Sequence, residues 1–416
     1  MESEQHQKDT DNGELPVKFR EVFLDKILAN CSSWGWPANA KGEDLKVSST
    51  CGHSSVSFIV QLKPKNETQE PQETPSKPPI RILVKEFLDG FVDEIKEATE
   101  QEVAQTLSNL SKGPRILQED PKIRIQELIE GRTIGSKSDL TSKPVIRAVA
   151  YCMQSFHRLK PPTAQKKAFS LRCFDGDFPL LNLYKKNLQV YKDKGVLTQN
   201  QIEIGESVGR TMTTDAEIEW IRTKMPQFDL VFSHNDFYHN NLVLKESNGL
   251  VYAIDYESAA YNPRGVDIAG FMSEMKVYFG DVPGYEFDYK SRELGELAKE
   301  LLYSYLYFES FETELTEEEA LEVINGTEKG IAELAAERIG GGGHGKPLEE
   351  VFGDLVEEVI FGQLLNHIYM ALWAVAASND NEIENDYFGY AEKQVKGYIQ
   401  IKKDVYSQEN LGPGGE

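Results

Sequence analysis

Phe232–Leu244 reads FSHNDFYHNNLVL and places His234, Asn235, Asp236, His239, Asn240 and Asn241 close together between two apolar runs. Metal binding, proton transfer and the capping of a turn all compete for so dense a polar cluster. The flanking pattern narrows the choice. Leu230–Phe232 precedes the cluster; Leu242–Leu244 follows it, then KESNG (Lys245–Gly249), LVYAI (Leu250–Ile254) and DYE (Asp255–Glu257). Asn248-Gly249 between apolar runs is a strong hairpin signal, because both residue types tolerate positive φ. The two runs are therefore expected to pair antiparallel, which brings Asn241 and Asp255 out at the same end of the hairpin. An amide oxygen and a carboxylate placed there suit a hard cation such as Mg²⁺. A register slip of one residue would turn the faces over.

Asp236 lies on the loop just before, so the stretch carries H-x-D-x-x-x-x-N followed by a hairpin and an Asp. Kinase-like phosphotransferases are arranged this way. One Asp faces the acceptor hydroxyl, and an Asn and a second Asp hold the metal that bridges the phosphates. Taken singly, Asp236 and Asn241 read as turn caps. Loop, hairpin and Asp255 together favour phosphotransfer. Zinc is the rival for His234 and His239, and it is discounted because no third soft ligand lies nearby. His234 is expected to hold the loop's backbone, and His239 to be exposed.

A chain of 416 residues is too long for one compact core, so two lobes are the default. A net charge of -23 argues against a nucleic-acid partner, which would need excess Lys and Arg, and is compatible with a cationic substrate. The acidic run ESFETELTEEEALEVINGTEKG (Glu309–Gly330) reads as a solvated helical face. Cys31, Cys51, Cys152 and Cys173 lack metal-ligand spacing and read as reduced thiols of a cytoplasmic protein. The N-terminus has no apolar signal core. IYMALWAVAA (Ile368–Ala377) is too short to span a bilayer and fits a buried helix, so no integral membrane segment is expected.

Residues 1–15 are polar and are expected to form a disordered tail, and Pro16 is placed to open a helix with Phe19, Phe23, Ile27 and Leu28 at helical spacing. LKVSSTCGHSSVSFIVQL (Leu45–Leu62) reads as strand, turn, strand. KPKNETQEPQETPSKPP has the composition of a flexible insertion over 63–79, before the strand IRILVKEF (Ile80–Phe87). A helix over Glu94–Ser111 and two strands within Gly113–Ile129 complete a small α/β lobe ending near Glu130. From Ser138 onward helical periodicity dominates, apart from one short pair of strands. Val145–Leu159 and Leu180–Asp193 are helix candidates, and the apolar Leu348–Ser378 stretch is expected to be partly buried. GGGGHGKP (Gly340–Pro347) imitates a phosphate loop, but Pro347 stands where a Ser or Thr hydroxyl is needed and no strand precedes it.

HNDFYHNN, AIDYESAAYNPRGVDIAGFMSE (Ala253–Glu274), the late NHIYMALW (Asn366–Trp373) and YFGYA (Tyr387–Ala391) together resemble the choline/ethanolamine kinase family, in order from about Val47 to Lys402. The resemblance implies an α+β, two-lobed protein-kinase-like fold. A tail (1–15) would precede a small α/β nucleotide-binding lobe (16–130). A larger, mainly helical catalytic and substrate lobe (131–405) and a short tail (406–416) would follow. It also implies ATP and Mg²⁺ as cofactors, and choline or ethanolamine as the acceptor in the first step of phospholipid synthesis by the nucleotide-activated route. A homodimer is compatible with it.

By the same resemblance Asp236 is the catalytic base, and Asn241 and Asp255 are the Mg²⁺ ligands. Lys85 matches a cationic phosphate contact, with Glu100 or Glu102 as its helix partner; a solvated strand lysine is the plainer reading. Gly52 and Ser54 sit where the family has its nucleotide loop, with one glycine where the family pattern has more. Ile129 falls at the hinge near adenine, although core packing explains it equally well. Glu274 borders the cation site, with Tyr278 or Phe279 nearby, and Trp373 and Tyr390 match two aromatic positions. Where the family shows W-x-x-W this chain has Met370-Ala371-Leu372-Trp373, so one wall of the cage is a thioether, and plain helix core remains open for both residues. Asp267 is expected to cap its helix or brace the catalytic loop. Two other readings stand beside this one: a phosphotransferase for another small alcohol or an aminoglycoside, and a catalytically inactive kinase-like binding module.

Overall fold

The computed structural model describes residues 8–9, 17–51, 55–63, 81–87, 94–120, 122–162, 164, 167–175, 180–279, 282–326, 329–341, 346–378 and 386–407. Two compact units divide the chain, Met1–Glu130 and Gly131–Glu416. Gly52, Ser54, all of the 63–79 insertion except Lys63, and positions 342–345 of the glycine run lie outside the described residues.

The first unit is built on one antiparallel sheet of six strands, β1 (Lys8–Asp9), β2 (Leu45–Cys51), β3 (Ser55–Leu62), β4 (Ile82–Phe87), β5 (Ile116–Asp120) and β6 (Ile123–Glu127), in the order β1-β2-β3-β4-β6-β5. Alternation along these strands sends Leu45, Val47, Phe58, Val60, Ile82, Val84 and Ile125 into a core closed by Phe19, Phe23 and Ile27. Those last three recur every fourth residue, the spacing that lines one face of a helix. The expected single helix is two short ones, Val17–Val22 and Leu24–Asn30. Their ladder continues across the join, because Phe23 N donates to Phe19 O and Ile27 N to Phe23 O, both at 3.0 Å. Phe58 meets the rings of Phe19 and Phe23 at 5.5 Å. Each buried Phe contributes about 1.5–3 kcal/mol relative to exposure. Helix Glu94–Asn109 lies between β4 and β5 in the chain.

The second unit is mainly helical. It holds more strand than the one expected pair. β7 (Arg132–Thr133), β9 (Leu242–Leu244) and β10 (Val251–Ala253) form a three-stranded sheet, and β8 (Leu230–Ser233) pairs with β11 (Ala260–Pro263). β7 is only two residues long, too short to show a period in sequence. Helix Lys143–His157 is buried along nearly its whole length. Helix Leu348–Ala377 is long and apolar enough to cross a membrane by length and composition, so shortness is not what argues against a span; 72% of its most apolar window is buried inside the protein. Glycines let it approach helix Gly265–Phe279 backbone to backbone. A Cβ on Gly265 would stand 2.1 Å from Glu358 O, and one on Gly362 2.3 Å from Gly265 O. Asn366 Nδ2 straps the crossing by donating to Val266 O at 2.8 Å.

Candidate active site

β9 and β10 pair antiparallel, with Leu242 opposite Ala253, Val243 opposite Tyr252 and Leu244 opposite Val251. The turn differs in detail from the expected one. Gly249 alone takes positive φ, +75°. Asn248 serves instead as a side-chain acceptor, its Oδ1 receiving Leu250 N at 3.1 Å. At the other end Ile254 N donates to Asn241 O at 2.9 Å. Asp255 follows immediately, so Asn241 and Asp255 leave the hairpin together.

Asp236 and Asn241 are in direct contact: Asn241 Nδ2 donates to Asp236 Oδ2 at 2.8 Å and to Asp236 O at 3.0 Å. With its nitrogen so engaged, Asn241 has Oδ1 to offer a cation. Asp255 is held at φ +67° and Asn235 at φ +62°. A non-glycine residue in the left-handed region costs about 1–3 kcal/mol and persists only where its surroundings over-determine it. Asn235 is so determined. Its side chain donates to Ser258 O at 2.9 Å and Ala260 O at 3.2 Å, and accepts from Asn262 Nδ2 at 2.7 Å.

Asp267 braces the loop. Its carboxylate accepts from His234 N at 2.7 Å, from Asn235 N at 2.8 Å and from His157 Nε2 at 3.0 Å. Of the two expected roles the structure selects bracing, although Asp267 does lie in the first turn of its helix. Tyr305 OH lies 2.7 Å from His157 Nδ1. His157, Tyr305 and Asn262 have no sequence signal linking them to Asp236, since separations of 148 and 110 residues divide His157 from its two partners. His234 holds the loop as expected, its Nε2 donating to Ile254 O at 3.0 Å. His239 is buried, not exposed, and burial pushes its imidazole down to about 4, which keeps it neutral at pH 7.

Hard oxygen donors from Asn241 and Asp255 fit Mg²⁺, which takes one or two protein carboxylates and completes its shell with phosphate and water. Among the described residues no group of three or more His, Cys, Asp or Glu could hold a metal. An Asn–Asp pair needs no such group.

In the first unit Lys85 is buried, and Nζ lies 3.1 Å from Glu100 Oε1. That ends the choice between Glu100 and Glu102, and it removes the solvated-lysine reading. Ile129 follows β6 and is half-buried. Glu274 and Phe279 are on helix Gly265–Phe279, but their side chains lie outside the described residues, as does that of Tyr278. Met370, Trp373 and Tyr390 are half-buried, whereas Ala371, Leu372 and Ala374 beside them are buried. Trp373 packs edge-on against Tyr387 at 5.7 Å. Tyr369 packs on Phe169 at 5.5 Å, and burial drives its phenol well above the ordinary range.

Residues 54–399 match the family model described as choline/ethanolamine kinase, well over half of the chain. The chain belongs to the choline/ethanolamine kinase family. Among relatives of this family, it is 23% identical over 327 residues to "Probable choline kinase 2" of Arabidopsis thaliana, covering 78% of this chain and 79% of that one. It is 25% identical over 313 residues to "Choline/ethanolamine kinase" of Rattus norvegicus, covering 72% and 67%. A choline kinase crystal structure from Cryptosporidium parvum superposes with a TM-score of 0.58 at 21% identity, covering 94% of this chain and 97% of that one. An ethanolamine kinase of Plasmodium vivax gives 0.56 at 13% identity, covering 94% and 91%. At such identities the superpositions show the fold, which is the two-lobed protein-kinase-like one.

Proposed function

We propose that this protein transfers the γ-phosphoryl group of ATP to the hydroxyl of choline, ethanolamine or both, the first step of phospholipid synthesis by the nucleotide-activated route. The observation that carries the reading is the Asp236–Asn241 contact at 2.8 Å, with Asp255 leaving the same end of the hairpin. Family membership supports the acceptor class. Asp236 orients the acceptor hydroxyl and takes its proton as the oxygen attacks the γ-phosphorus. The new P–O bond forms as the bond to the β-phosphate's bridging oxygen breaks, and ADP leaves with that electron pair. Mg²⁺, when held by Asn241 and Asp255, would neutralise charge on the phosphates. Lys85 supplies a phosphate contact, and Gly52, Ser54 and Ile129 line the nucleotide's side in this reading.

Glu274, Phe279, Trp373 and Tyr390 form the acceptor's cation site. The half-buried state of Trp373 and Tyr390 supports this, since a wall residue must keep one face open. The lobe boundaries follow the same reading: nucleotide binding in 16–130, catalysis and acceptor binding in 131–405. A cytoplasmic location agrees with Cys31, Cys152 and Cys173 being buried thiols outside any disulfide. A homodimer belongs to the proposal and is tested by light scattering. The deciding experiment is ADP release with choline, ethanolamine, an aminoglycoside and unrelated alcohols. Release with either amino alcohol alone among them supports the reading; release with none, or only with another acceptor, overturns it.

A further inference from the structure

Lys85 and Arg124 stand directly opposite each other across β4 and β6. Directly opposed residues point to the same face with Cβ atoms about 5 Å apart, and like charges so placed repel. An anion between them is the remedy, and Glu100 is that anion. Its Oε1 accepts from Lys85 Nζ at 3.1 Å and from Arg124 Nη1 at 3.2 Å. Glu100 and Arg124 are each 2% exposed. Arg124 Nε reaches a second carboxylate, Glu119 Oε1, at 2.8 Å, and both cations lie over the Phe87 ring, at 5.3 and 5.2 Å.

Arg124 is a poor choice for stability alone. Its Nη2 is buried without a hydrogen-bond partner among the described residues. A buried ionic cluster of this kind is often no more stable than an apolar replacement. Its arrangement does have a consequence for Lys85. Glu100 comes from helix Glu94–Asn109, and Arg124 ties that carboxylate to the sheet independently of the lysine.

We infer that Arg124 is a positioning residue for nucleotide binding: it fixes Glu100 on the sheet, and so holds the Lys85 ammonium in place for a phosphate. The inference rests on the proposed role of Lys85 as a phosphate contact.

The test is Arg124→Met in the full chain. Binding of a fluorescent ATP analogue with Mg²⁺ and the KM for each substrate are both measured. Glu100 keeps Lys85, and Glu119, part-exposed, keeps water, so no buried charge is stranded. The analogue's Kd and the KM for ATP should rise about tenfold, ~1.4 kcal/mol, while the KM for the amino alcohol stays within about twofold. The melting temperature should move by no more than about 3 °C. Arg124→Lys restores a cation on Glu100 without the fork to Glu119, and should recover nucleotide affinity to within about threefold of wild type. It also decides the matter if the Met variant does not fold. An unchanged nucleotide Kd in Arg124→Met overturns the inference. So does parallel damage to both substrates with a lower melting temperature in both variants, which would make Arg124 plain scaffold. Wild-type protein that binds the analogue but phosphorylates neither amino alcohol sinks the proposed activity and leaves this test standing; wild-type protein that binds no nucleotide sinks both.

Discussion

Replacing Asp267 with Asn should cost much of the activity, although Asp267 is placed on neither substrate. The wild-type carboxylate takes three donors, His234 N and His157 Nε2 on Oδ2 and Asn235 N on Oδ1. Asn has one oxygen and one NH₂. With the oxygen kept where two donors converge, the NH₂ confronts the Asn235 N–H. One charge-assisted bond is lost, worth about 1.5–3 kcal/mol, and a buried N–H is left unsatisfied at a further ~1–3 kcal/mol. The total, on the order of 3–5 kcal/mol, exceeds the ~1–3 kcal/mol by which the left-handed Asn235 backbone is strained, so the loop should relax. Asp236 is the next residue and moves with it. A displacement of about 1 Å costs on the order of 100-fold in rate. Steady-state kinetics should therefore show kcat down by about 100-fold or more, with the KM for ATP nearly constant. Calorimetry should show a melting temperature lower by roughly 5 °C. A kcat within about threefold of wild type would refute the bracing argument, because it would mean that the loop holds its shape without the carboxylate.

Asp236→Asn should lower kcat by roughly 10²–10⁴-fold with little change in ATP affinity; retention of more than about a tenth of wild-type kcat would remove Asp236 from the proton-transfer role. Asn241→Ala deletes the Oδ1 donor and the hydrogen bond to Asp236, so the Mg²⁺ concentration needed for half-maximal rate should rise, and a normal Mg²⁺ titration would show that Asn241 and Asp255 do not share an ion. Trp373→Ala should raise the KM for choline by about 30-fold if a desolvated cation–π contact of ~2 kcal/mol is lost, while the KM for ATP stays put. Equal damage to both constants with a lower melting temperature would return Trp373 to the core. With Met370 in place of an indole, kcat/KM for choline and ethanolamine should differ by less than about 100-fold, ~2.8 kcal/mol; a larger ratio would mean that side chains other than Glu274, Phe279, Trp373 and Tyr390 close the cage.

Local patterns made much of the second unit legible in sequence. The apolar runs around Asn248-Gly249 announce the β9–β10 hairpin, and the H-x-D-x-x-x-x-N spacing puts Asp236 and Asn241 on the loop that enters it. Both depend on neighbours a few residues apart, and backbone geometry converts such spacings directly into distance. In the first unit Phe19, Phe23 and Ile27 declare their buried face by the same logic. Even there the sequence was silent on details that packing sets, such as which residue of the turn takes positive φ.

Elsewhere tertiary structure decided. Glu100 and Glu102 are equivalent in sequence, yet two residues on a helix are turned about 200° from each other, so only one can face Lys85. His239 looked like a surface residue and is buried, because the polarity of a side chain does not reveal what folds over it. Helix Leu348–Ala377 is long and apolar enough to cross a membrane by length and composition, and it is packing inside the protein, with Gly265 and Gly362 in backbone contact, that makes it a core element. His157, Tyr305, Asp267 and Arg124 acquire their roles from partners tens to hundreds of residues away. No periodicity reaches across such separations. Only the closed chain brings an imidazole at position 157 to the carboxylate at 267, and that carboxylate to the loop that holds Asp236.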